Sequence, residues 1–412
     1  MNGESFDCDV LIVGGGLVGS VLALALESAG ARTVLVESRD PAQLEQESFD
    51  GRATALARGS QRILDQLGLW QALDGSAAAI RAIHIGEQGR FGAARILASE
   101  EGVEALGYTV ENRVLGRVFW ERLARSENFQ CLAPARLRGF DTGRDAACAT
   151  VEAGGANIAL RARLVVGADG ARSSVRDALG IAAREDDYEQ QAVILNCTTE
   201  QALSGRAFER FAAQGPLAFL PLTAGRAAVV WTLQNREADC VAGLDDAAFR
   251  ARLQAAFGYR LGRILRVGRR DRYPLRRIRS ATLGARRSVL IGSAAVNLHP
   301  VAGQGFNLAL RDVATLAEVV GDALAHGEDI GADTVLGRYR GWRARDQRTV
   351  AWFTHGLVQG FGLQLPGAGA ARGLALVAFD LLPGGKAWLA RQTMGMTGRL
   401  PRLARGLPLS AR

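Results

Sequence analysis

Three glycines and one acidic residue near the start of the chain have the types and spacing of a nucleotide site. Gly14, Gly16 and Gly19 form a G-x-G-x-x-G pattern between an apolar strand and an apolar helix, and Glu37 closes the strand that follows. Glycines at these places permit a tight turn, close approach of a pyrophosphate and close packing of helix on strand. The helix N-terminus offers free N–H groups to phosphate, and a carboxylate about 20 residues on can bind ribose hydroxyls. The pattern therefore predicts a dinucleotide site.

Two later segments place glycine and polar side chains at the ends of apolar strands. Asp169 and Gly170 follow one such strand and precede two arginines. The other segment starts with Gly292 and Ser293 and continues as LHPVAGQGFNLALRD over residues 298–312. Strand ends of this kind are where α/β proteins bind cofactors, so both segments are candidates for the same site.

The glycines of the last segment suit contact with a flat ring. Gly303 and Gly305 allow the backbone to lie against a planar group, and Pro300 sets a turn beside it. A helix is predicted to begin near Gln304. Its positive N-terminal end would face a ring edge that gains negative charge on reduction, which is the chemistry of a flavin.

These segments, in this order, resemble the aromatic-ring hydroxylase family of flavoproteins. The resemblance covers most of residues 6–345 and includes DGRATAL at residues 50–56, whose Arg52 matches an arginine near the cofactor phosphates. It is closest to the ubiquinone-biosynthesis branch, on IHIGEQGRFG at residues 83–92 and on the LHPVAGQGFNLALRD segment. Within that branch the chain is similar to the hydroxylases of 2-polyprenyl-6-methoxyphenol.

The resemblance implies that FAD is the cofactor, and it assigns the contacts. The implied cofactor-binding residues are Gly14, Gly16, Gly19, Glu37, Arg52, Arg113, Asp169, Gly170, Gly292, Ser293, Gly303, Gly305 and Asn307. His299 and Pro300 are the candidates for contact with the reacting ring, and no catalytic base is assigned. The family's usual acid after Gly292 is Ser293 here. Because a hydroxyl binds the ribityl hydroxyls more weakly than a carboxylate does, weaker FAD retention is expected.

The resemblance also implies a reaction. NADPH or NADH would reduce FAD as a visiting co-substrate, which agrees with the absence of a second G-x-G-x-x-G pattern. O2 would then form a flavin C4a-hydroperoxide that hydroxylates the phenolic ring of a polyprenylated ubiquinone precursor. The cofactor would supply this chemistry, while the protein orients the ring and excludes water.

Apolar periodicity predicts an α/β fold with two interleaved domains. A βαβ unit is predicted at residues 9–13, 17–29 and 33–36, with further buried strands at 163–167 and 288–291. Alternating segments predict a second sheet, at residues 81–85, 192–197, 206–211, 217–220 and 227–233. The resulting prediction is a Rossmann-like FAD-binding domain (1–75, 106–180, 276–338), a smaller β-sheet substrate domain (76–105, 181–275) and C-terminal helices (339–412), as in p-hydroxybenzoate hydroxylase-like folds. Helix breaks are expected at 365–369 and 383–385.

Cysteine and charge usage limit the partners. The five cysteines are odd in number and never form C-x-x-C, which predicts a reducing cytoplasm without disulfides or a zinc site. The net charge is +8, but Lys386 is the only lysine, so an arginine-rich composition explains the excess without nucleic acid. Residues 338–412 carry twelve basic and two acidic side chains. This excess predicts either peripheral contact with an anionic membrane face or a biosynthetic complex, or an ordinary solvated basic surface.

Two other functions fit the same residues. A hydroxylase of a small soluble aromatic acid would need a compact pocket with an arginine aimed at the substrate carboxylate, whereas a polyprenyl substrate needs a long apolar tunnel. A non-catalytic flavoprotein scaffold in a quinone-synthesis complex is favoured by Ser293 alone. His84, on an apolar strand, is more typical of a buried core histidine than of a base.

Overall fold

The apolar runs of the sequence form the buried strands of three sheets in the computed structural model, which describes residues 7–40, 52–212, 214–297, 304–362 and 383–409. The strands are β1 Cys8–Val13, β2 Thr33–Val36, β3 Ala53–Ala57, β4 Ala78–Ile80, β5 Ala82–Glu87, β6 Ala93–Leu97, β7 Gly107–Glu111, β8 Phe129–Leu132, β9 Ala135–Thr142, β10 Ala147–Ala153, β11 Ala156–Gly167, β12 Ala183–Thr199, β13 Arg206–Ala212, β14 Gly215–Pro221, β15 Arg226–Gln234, β16 Ile264–Val267, β17 Asp271–Ser280, β18 Ser288–Leu290 and β19 Val296–Asn297. The helices are α1 Leu17–Ser28, α2 Arg58–Gln66, α3 Asn112–Leu123, α4 Ser174–Ala178, α5 Asn235–Ala242, α6 Asp246–Phe257, α7 Gln304–Ala325, α8 Asp333–Gly362 and α9 Pro383–Thr393. Within the described ranges, none of the helices is both long and apolar enough to cross a bilayer.

Sheet I is built on parallel strands in the order β8, β2, β1, β11 and β18. Its strand β1 is a nearly uninterrupted apolar run that is buried on both faces, as parallel sheets require. The apolar helix α1 packs between this sheet and the helices α3 and α7. The antiparallel strands β10 and β9 extend the sheet from the N-terminal half of β11.

Sheet II runs in the order β6, β5, β13, β14, β15, β12, β17 and β19, with β16 also beside β12. Its outer face packs on α5 and α6, with Trp231 and Phe249 in the shared core. Its inner face, turned away from those helices, carries the side chains of the intervening residues. Sheet III consists of β4, β7 and β3, all antiparallel.

The predicted α/β fold with interleaved sheets is confirmed, but several predicted boundaries are wrong. β11 starts at Ala156, where 163 was expected, because its N-terminal half pairs with the antiparallel β10. β12 extends over Ala183–Thr199, well beyond 192–197, because β17 pairs along most of its length. The strand predicted at 81–85 is β5, which begins one residue later at Ala82 and continues to Glu87, and a separate short strand β4 of sheet III ends just before it at Ile80.

The C-terminal helices differ from the expected division of the chain. Helix α8 starts at Asp333, so the predicted boundary between residues 338 and 339 falls inside it. Helix α9 begins at Pro383, where proline fits a first helical turn, and thus at the predicted break. The break predicted at 365–369 lies outside the described residues. The division into domains otherwise stays a prediction.

A buried charge network joins α7 to α8. Asp312 Oδ1 accepts a hydrogen bond from Arg343 Nε at 2.6 Å, and the two side chains are 1% and 0% exposed. Asp346, on the next turn of α8, pairs with both Arg343 and Arg311. Burial alone would lower the pKa of Arg343, but Asp312 and Asp346 outweigh it and raise that pKa, so the guanidinium stays charged. The same Asp312 accepts the Gly292 N–H at 3.1 Å, which connects the network to the end of β18.

Arg343→Met tests the weight of this network. Removing the guanidinium leaves the buried Asp312 carboxylate without its cation, while Asp346 keeps Arg311, so we expect the free energy of unfolding to fall by about 3–5 kcal/mol. Denaturant titration of the purified protein measures it. Arg340→Met is the matched control on the same helix, because Arg340 makes an exposed ion pair with Asp333 at 3.2 Å. Arg340→Met should lower the free energy of unfolding by less than about 1 kcal/mol. Equal effects of the two variants would contradict the prediction.

Candidate FAD site

The carboxyl ends of four neighbouring strands meet at one edge of sheet I, here called the strand edge. Glu37 follows β2, Gly14 follows β1, Asp169 lies just after β11, and Gly292 lies just after β18. Backbone hydrogen bonds of 2.8–3.0 Å join successive strand ends. Open α/β sheets bind their ligands in the crevice outside such an edge. Three segments that are far apart in sequence are therefore brought together at one site.

The glycine turn after β1 is tightly packed except at its middle glycine. Gly14 has φ +102°, and a Cβ placed there would lie 2.6 Å from the Ala168 oxygen. A Cβ on Gly19 would lie 1.9 Å from the Gly14 oxygen. A Cβ on Gly16 would meet nothing within 4 Å. Gly14 and Gly19 therefore allow strand and helix to approach, and Gly16 leaves open space at the N-terminus of α1, where phosphate binds best.

Glu37, at the strand edge, also bonds to the glycine turn after β1. One carboxylate oxygen accepts the Gly15 N–H at 2.6 Å, and the other accepts the Arg39 N–H at 2.9 Å and the Ser38 hydroxyl at 3.1 Å. The side chain is only 8% exposed. Because a carboxylate has about four acceptor positions, Glu37 keeps capacity for a ligand hydroxyl.

Asp169 has one satisfied oxygen and one open oxygen. Its Oδ2 accepts the Ser174 hydroxyl at 2.8 Å and the Val175 N–H at 3.2 Å. Its Oδ1 is buried and has no hydrogen-bond partner among the residues that the structure describes. Gly170, at φ +82°, leaves the space beside it clear. A buried acceptor without a donor is unusual in a folded protein and suits a ligand hydroxyl, so these residues fit FAD.

The turn after β18 is bonded to Asp312 on one side and is exposed at Ser293 on the other. Gly292 has φ +57°, and its amide is fixed by Asp312. Ser293 is exposed, so its hydroxyl is available to a ligand. Helix α7 begins at Gln304, as predicted, and a Cβ on Gly305 would meet nothing within 4 Å. His299, Pro300 and Gly303 lie outside the described residues.

Asn307 lies two residues after Gly305 in α7, and its side chain bonds to protein groups. Its Oδ1 accepts the Ala57 N–H at 2.8 Å and the Ser60 hydroxyl at 2.7 Å, and its Nδ2 donates to the Ala55 oxygen at 2.8 Å. The side chain is 4% exposed. It fastens β3 and α2 to α7 and therefore positions the segment that begins at Arg52.

The two candidate arginines face different partners. The Arg52 guanidinium lies over the ring of Tyr273, 4.8 Å from its centroid, which brings the start of β3 against the inner face of sheet II. Arg113 pairs with Glu111 at 3.1 Å and is 43% exposed. Glu111 also receives two hydrogen bonds from Arg226 of sheet II, at 2.8 and 3.2 Å. Arg113 is thus part of an ion-pair cluster beside the strand edge.

His84 lies away from the strand edge. It sits on the outer face of sheet II against Phe208, with 5.6 Å between ring centroids, and its Nε2 is 3.3 Å from Arg260. Burial and the nearby Arg260 and Arg210 lower the pKa of His84, so it is neutral at pH 7. His84 is half-buried on this face, and none of its contacts with the described residues connects it to the strand edge.

Comparisons with known proteins agree with this geometry. A family described as "FAD binding domain" matches residues 7–348. The chain is 38% identical to the ubiquinone hydroxylase UbiL of Rhodospirillum rubrum, over 97% of this chain and 93% of that protein. It belongs to the FAD-dependent ubiquinone-hydroxylase family. It is also 31% identical to the 3-demethoxyubiquinol 3-hydroxylase of Escherichia coli, over 90% of this chain and 94% of that protein.

A solved structure supports the fold independently. The p-nitrophenol 4-monooxygenase PnpA of Pseudomonas putida superposes with a TM-score of 0.79 over 95% of this chain and 98% of that one, at 21% identity. At that identity the likeness concerns the fold alone. With the family match, it confirms that the chain is an FAD-dependent monooxygenase on the predicted fold.

Two alanine substitutions separate the packing glycines from the ligand-facing one. Gly19→Ala forces a side chain against the Gly14 oxygen. We therefore expect the free energy of unfolding to fall by about 1–3 kcal/mol and FAD binding to be lost as well. Gly16→Ala should leave the free energy of unfolding nearly unchanged but weaken FAD binding about tenfold or more, because only the pyrophosphate needs that space. Unfolding curves and FAD titration measure both quantities.

Gly337→Ala is the control for this pair. Gly337 lies in α8 with nothing within 4 Å of its added Cβ. Alanine there should stabilise the helix by about 0.5–1 kcal/mol and leave FAD affinity unchanged. If Gly16→Ala binds FAD as tightly as this control, the pyrophosphate does not approach the chain at Gly16.

Proposed function

We propose that this protein uses NADPH or NADH and O2 to hydroxylate the phenolic ring of a polyprenylated ubiquinone precursor, with 2-polyprenyl-6-methoxyphenol as the first candidate. The observation that carries the proposal is the match, along nearly the whole chain, to relatives named as ubiquinone hydroxylases. The Escherichia coli relative is named for a different substrate, a demethoxyubiquinol, and for hydroxylation at its position 3. A demethoxyubiquinol is therefore the second candidate substrate.

The inner face of sheet II supports an apolar phenol over a small aromatic acid. In the register of β12, β15, β14 and β13, Ile194 lies opposite Val230, Val230 opposite Ala218, and Ala218 opposite Glu209. Residues paired in this way project from one face of a sheet. The middle of the face is thus aliphatic and ends in a carboxylate. An aromatic acid would need an arginine there, and Glu209 would repel its carboxylate.

Each part of the strand edge has a role in this reaction. FAD, when bound, supplies hydride acceptance from the nicotinamide and activation of O2. Gly16 and the N-terminus of α1 would hold the pyrophosphate, Glu37 a ribose, and Asp169 with Ser293 the ribityl hydroxyls. Sheet II covers the edge from the other side, so its inner face excludes water and orients the ring.

Turnover by the FAD-loaded enzyme tests the proposal. We expect NADPH or NADH oxidation to rise several-fold on addition of 2-prenyl-6-methoxyphenol, with a product one oxygen heavier by mass spectrometry. A short-tailed demethoxyubiquinol is the second arm, and salicylate tests the small aromatic acid. Stimulation by salicylate alone would contradict the proposed substrate. Bound FAD with no stimulation by any phenol would favour the scaffold function.

Peripheral membrane contact is a further part of the proposal. Trp388 is 51% exposed on α9, and Arg391, one helical turn later, is also exposed. An exposed tryptophan beside a cation is typical of residues that enter the interface of an anionic bilayer. The C-terminal excess of basic residues adds to the attraction.

Vesicle flotation tests this contact. The protein should float with anionic vesicles at low salt, and remain behind with neutral vesicles or at high salt. Trp388→Ala combined with Arg391→Ala should abolish recovery of the protein with the vesicles. Arg340→Ala, on α8, should leave that recovery unchanged. Absence of recovery with anionic vesicles at low salt would remove the membrane contact from the proposal.

A further inference from the structure

Glu209 is a carboxylate on the inner face of sheet II. It lies on β13, opposite Ala218 of β14 and beside Ile85 of β5. Its neighbours along the chain, Phe208 and Arg210, face the other way, since Phe208 packs against Phe257 of α6. The strand register therefore places Glu209 on the inner face, where the adjacent Ile85 packs against a cluster that includes Leu106 and Met394.

Sheet II meets the strand edge at β17 and β19, towards the other end of the sheet order from β13. Tyr273, which pairs with Ala192, shares the inner face with Glu209 and lies under Arg52. The short strand β19, which begins three residues after Ser293, pairs with β17 of the same sheet. The inner face thus forms the wall opposite the candidate FAD site.

The Glu209 carboxylate has no protein partner. Within the described part of the chain it makes no hydrogen bond and no ion pair. The side chain is half-buried, with aliphatic neighbours on both sides. Burial is the one cause that raises the pKa of Glu209, to about 7. A carboxylate without a donor in an apolar wall costs free energy unless a ligand satisfies it.

The other acidic and basic groups in the area are already engaged. Glu87, farther along β5, pairs with Arg90 at 3.2 Å. Arg52 covers Tyr273, and His84 lies on the outer face. Around Glu209, the faces presented by β14 and β15 are aliphatic. Glu209 is therefore the available proton acceptor on the described part of this wall.

We propose that Glu209 accepts the proton of the substrate's phenolic hydroxyl. The inference rests on the proposed function and adds the base that the strand edge lacks. The phenolic O–H bond breaks, the proton forms an O–H bond on the Glu209 carboxylate, and the electron pair stays on the phenol oxygen. That pair increases electron density at the ring carbon to be hydroxylated. The proton returns to the product oxygen when the ring regains aromaticity, so Glu209 is unchanged after turnover.

The pH dependence follows from the direction of proton transfer. An acceptor must be ionised, so kcat/KM should fall as the pH drops below about 7, where Glu209 becomes protonated. In Glu209→Gln this acidic limb should disappear, and kcat/KM at pH 8 should fall about 100-fold. Glu185→Gln is the control on the same sheet, because Glu185 is 48% exposed and pairs with Arg276 at 2.9 Å. It should keep the wild-type profile.

Binding gives a readout independent of turnover. The holoenzyme is titrated calorimetrically with 2-prenyl-6-methoxyphenol and with its methyl ether, which has no proton to give. The wild type should prefer the phenol at pH 8 and lose that preference at pH 6. Glu209→Gln should reduce the preference about tenfold and make it independent of pH, while affinity for the ether stays unchanged.

The outcomes separate this inference from the proposed function. If the wild type hydroxylates the phenol and Glu209→Gln keeps both the acidic limb and the preference for phenol over ether, Glu209 is not the acceptor. If Glu209→Gln loses affinity for the ether too, the residue shapes the wall and takes no proton, which also overturns the inference. If the wild type hydroxylates no ubiquinone precursor, the proposed function fails first.

Discussion

The buried pair of Asp312 and Arg343 is the interaction on which the geometry of the cofactor edge depends. It fixes α7 to α8, and through the Gly292 amide it also fixes the turn after β18. Two charges taken out of water repay their desolvation only if their geometry is well satisfied, and here Gln347 and Asp346 complete the set. The network therefore fixes the position of the turn after β18 relative to the other three strand ends of the strand edge.

The acidic residues of this protein divide by how completely they are satisfied. Asp312 uses both oxygens on protein donors, Asp169 leaves one buried oxygen open at the strand edge, and the half-buried Glu209 bonds to none of the described residues. Buried acceptors are almost always bonded, so the exceptions point to where a ligand belongs. Of the two incomplete carboxylates, Asp169 lies at the strand edge and Glu209 on the inner face of sheet II.

Sheet II performs two tasks because its two faces differ. The outer face carries large apolar side chains such as Trp231 and Phe219 and forms a core with α5 and α6. That core stabilises the sheet without help from the inner face, which is free to carry smaller aliphatic residues and polar groups such as Glu209 and Glu87. A half-buried antiparallel sheet normally gives its second face to solvent. Under the proposed function, that face serves the substrate instead.

Sequence alone determined the motifs whose chemistry is local. The glycine turn with Glu37, the Asp-Gly turn and the helix start at Gln304 each depend on residues within one local unit of the chain, so spacing was sufficient to locate them, and their resemblance to known motifs indicated the family. The structure alone decided what depends on register and on distant contacts. Asn307 is engaged by β3 and α2, Arg113 by Glu111, and Glu209 faces inward because β13 pairs with β14 and β5 in one register. Shifting that register by one residue would turn Arg210 inward, and no local pattern in the sequence specifies which of the two faces the flavin.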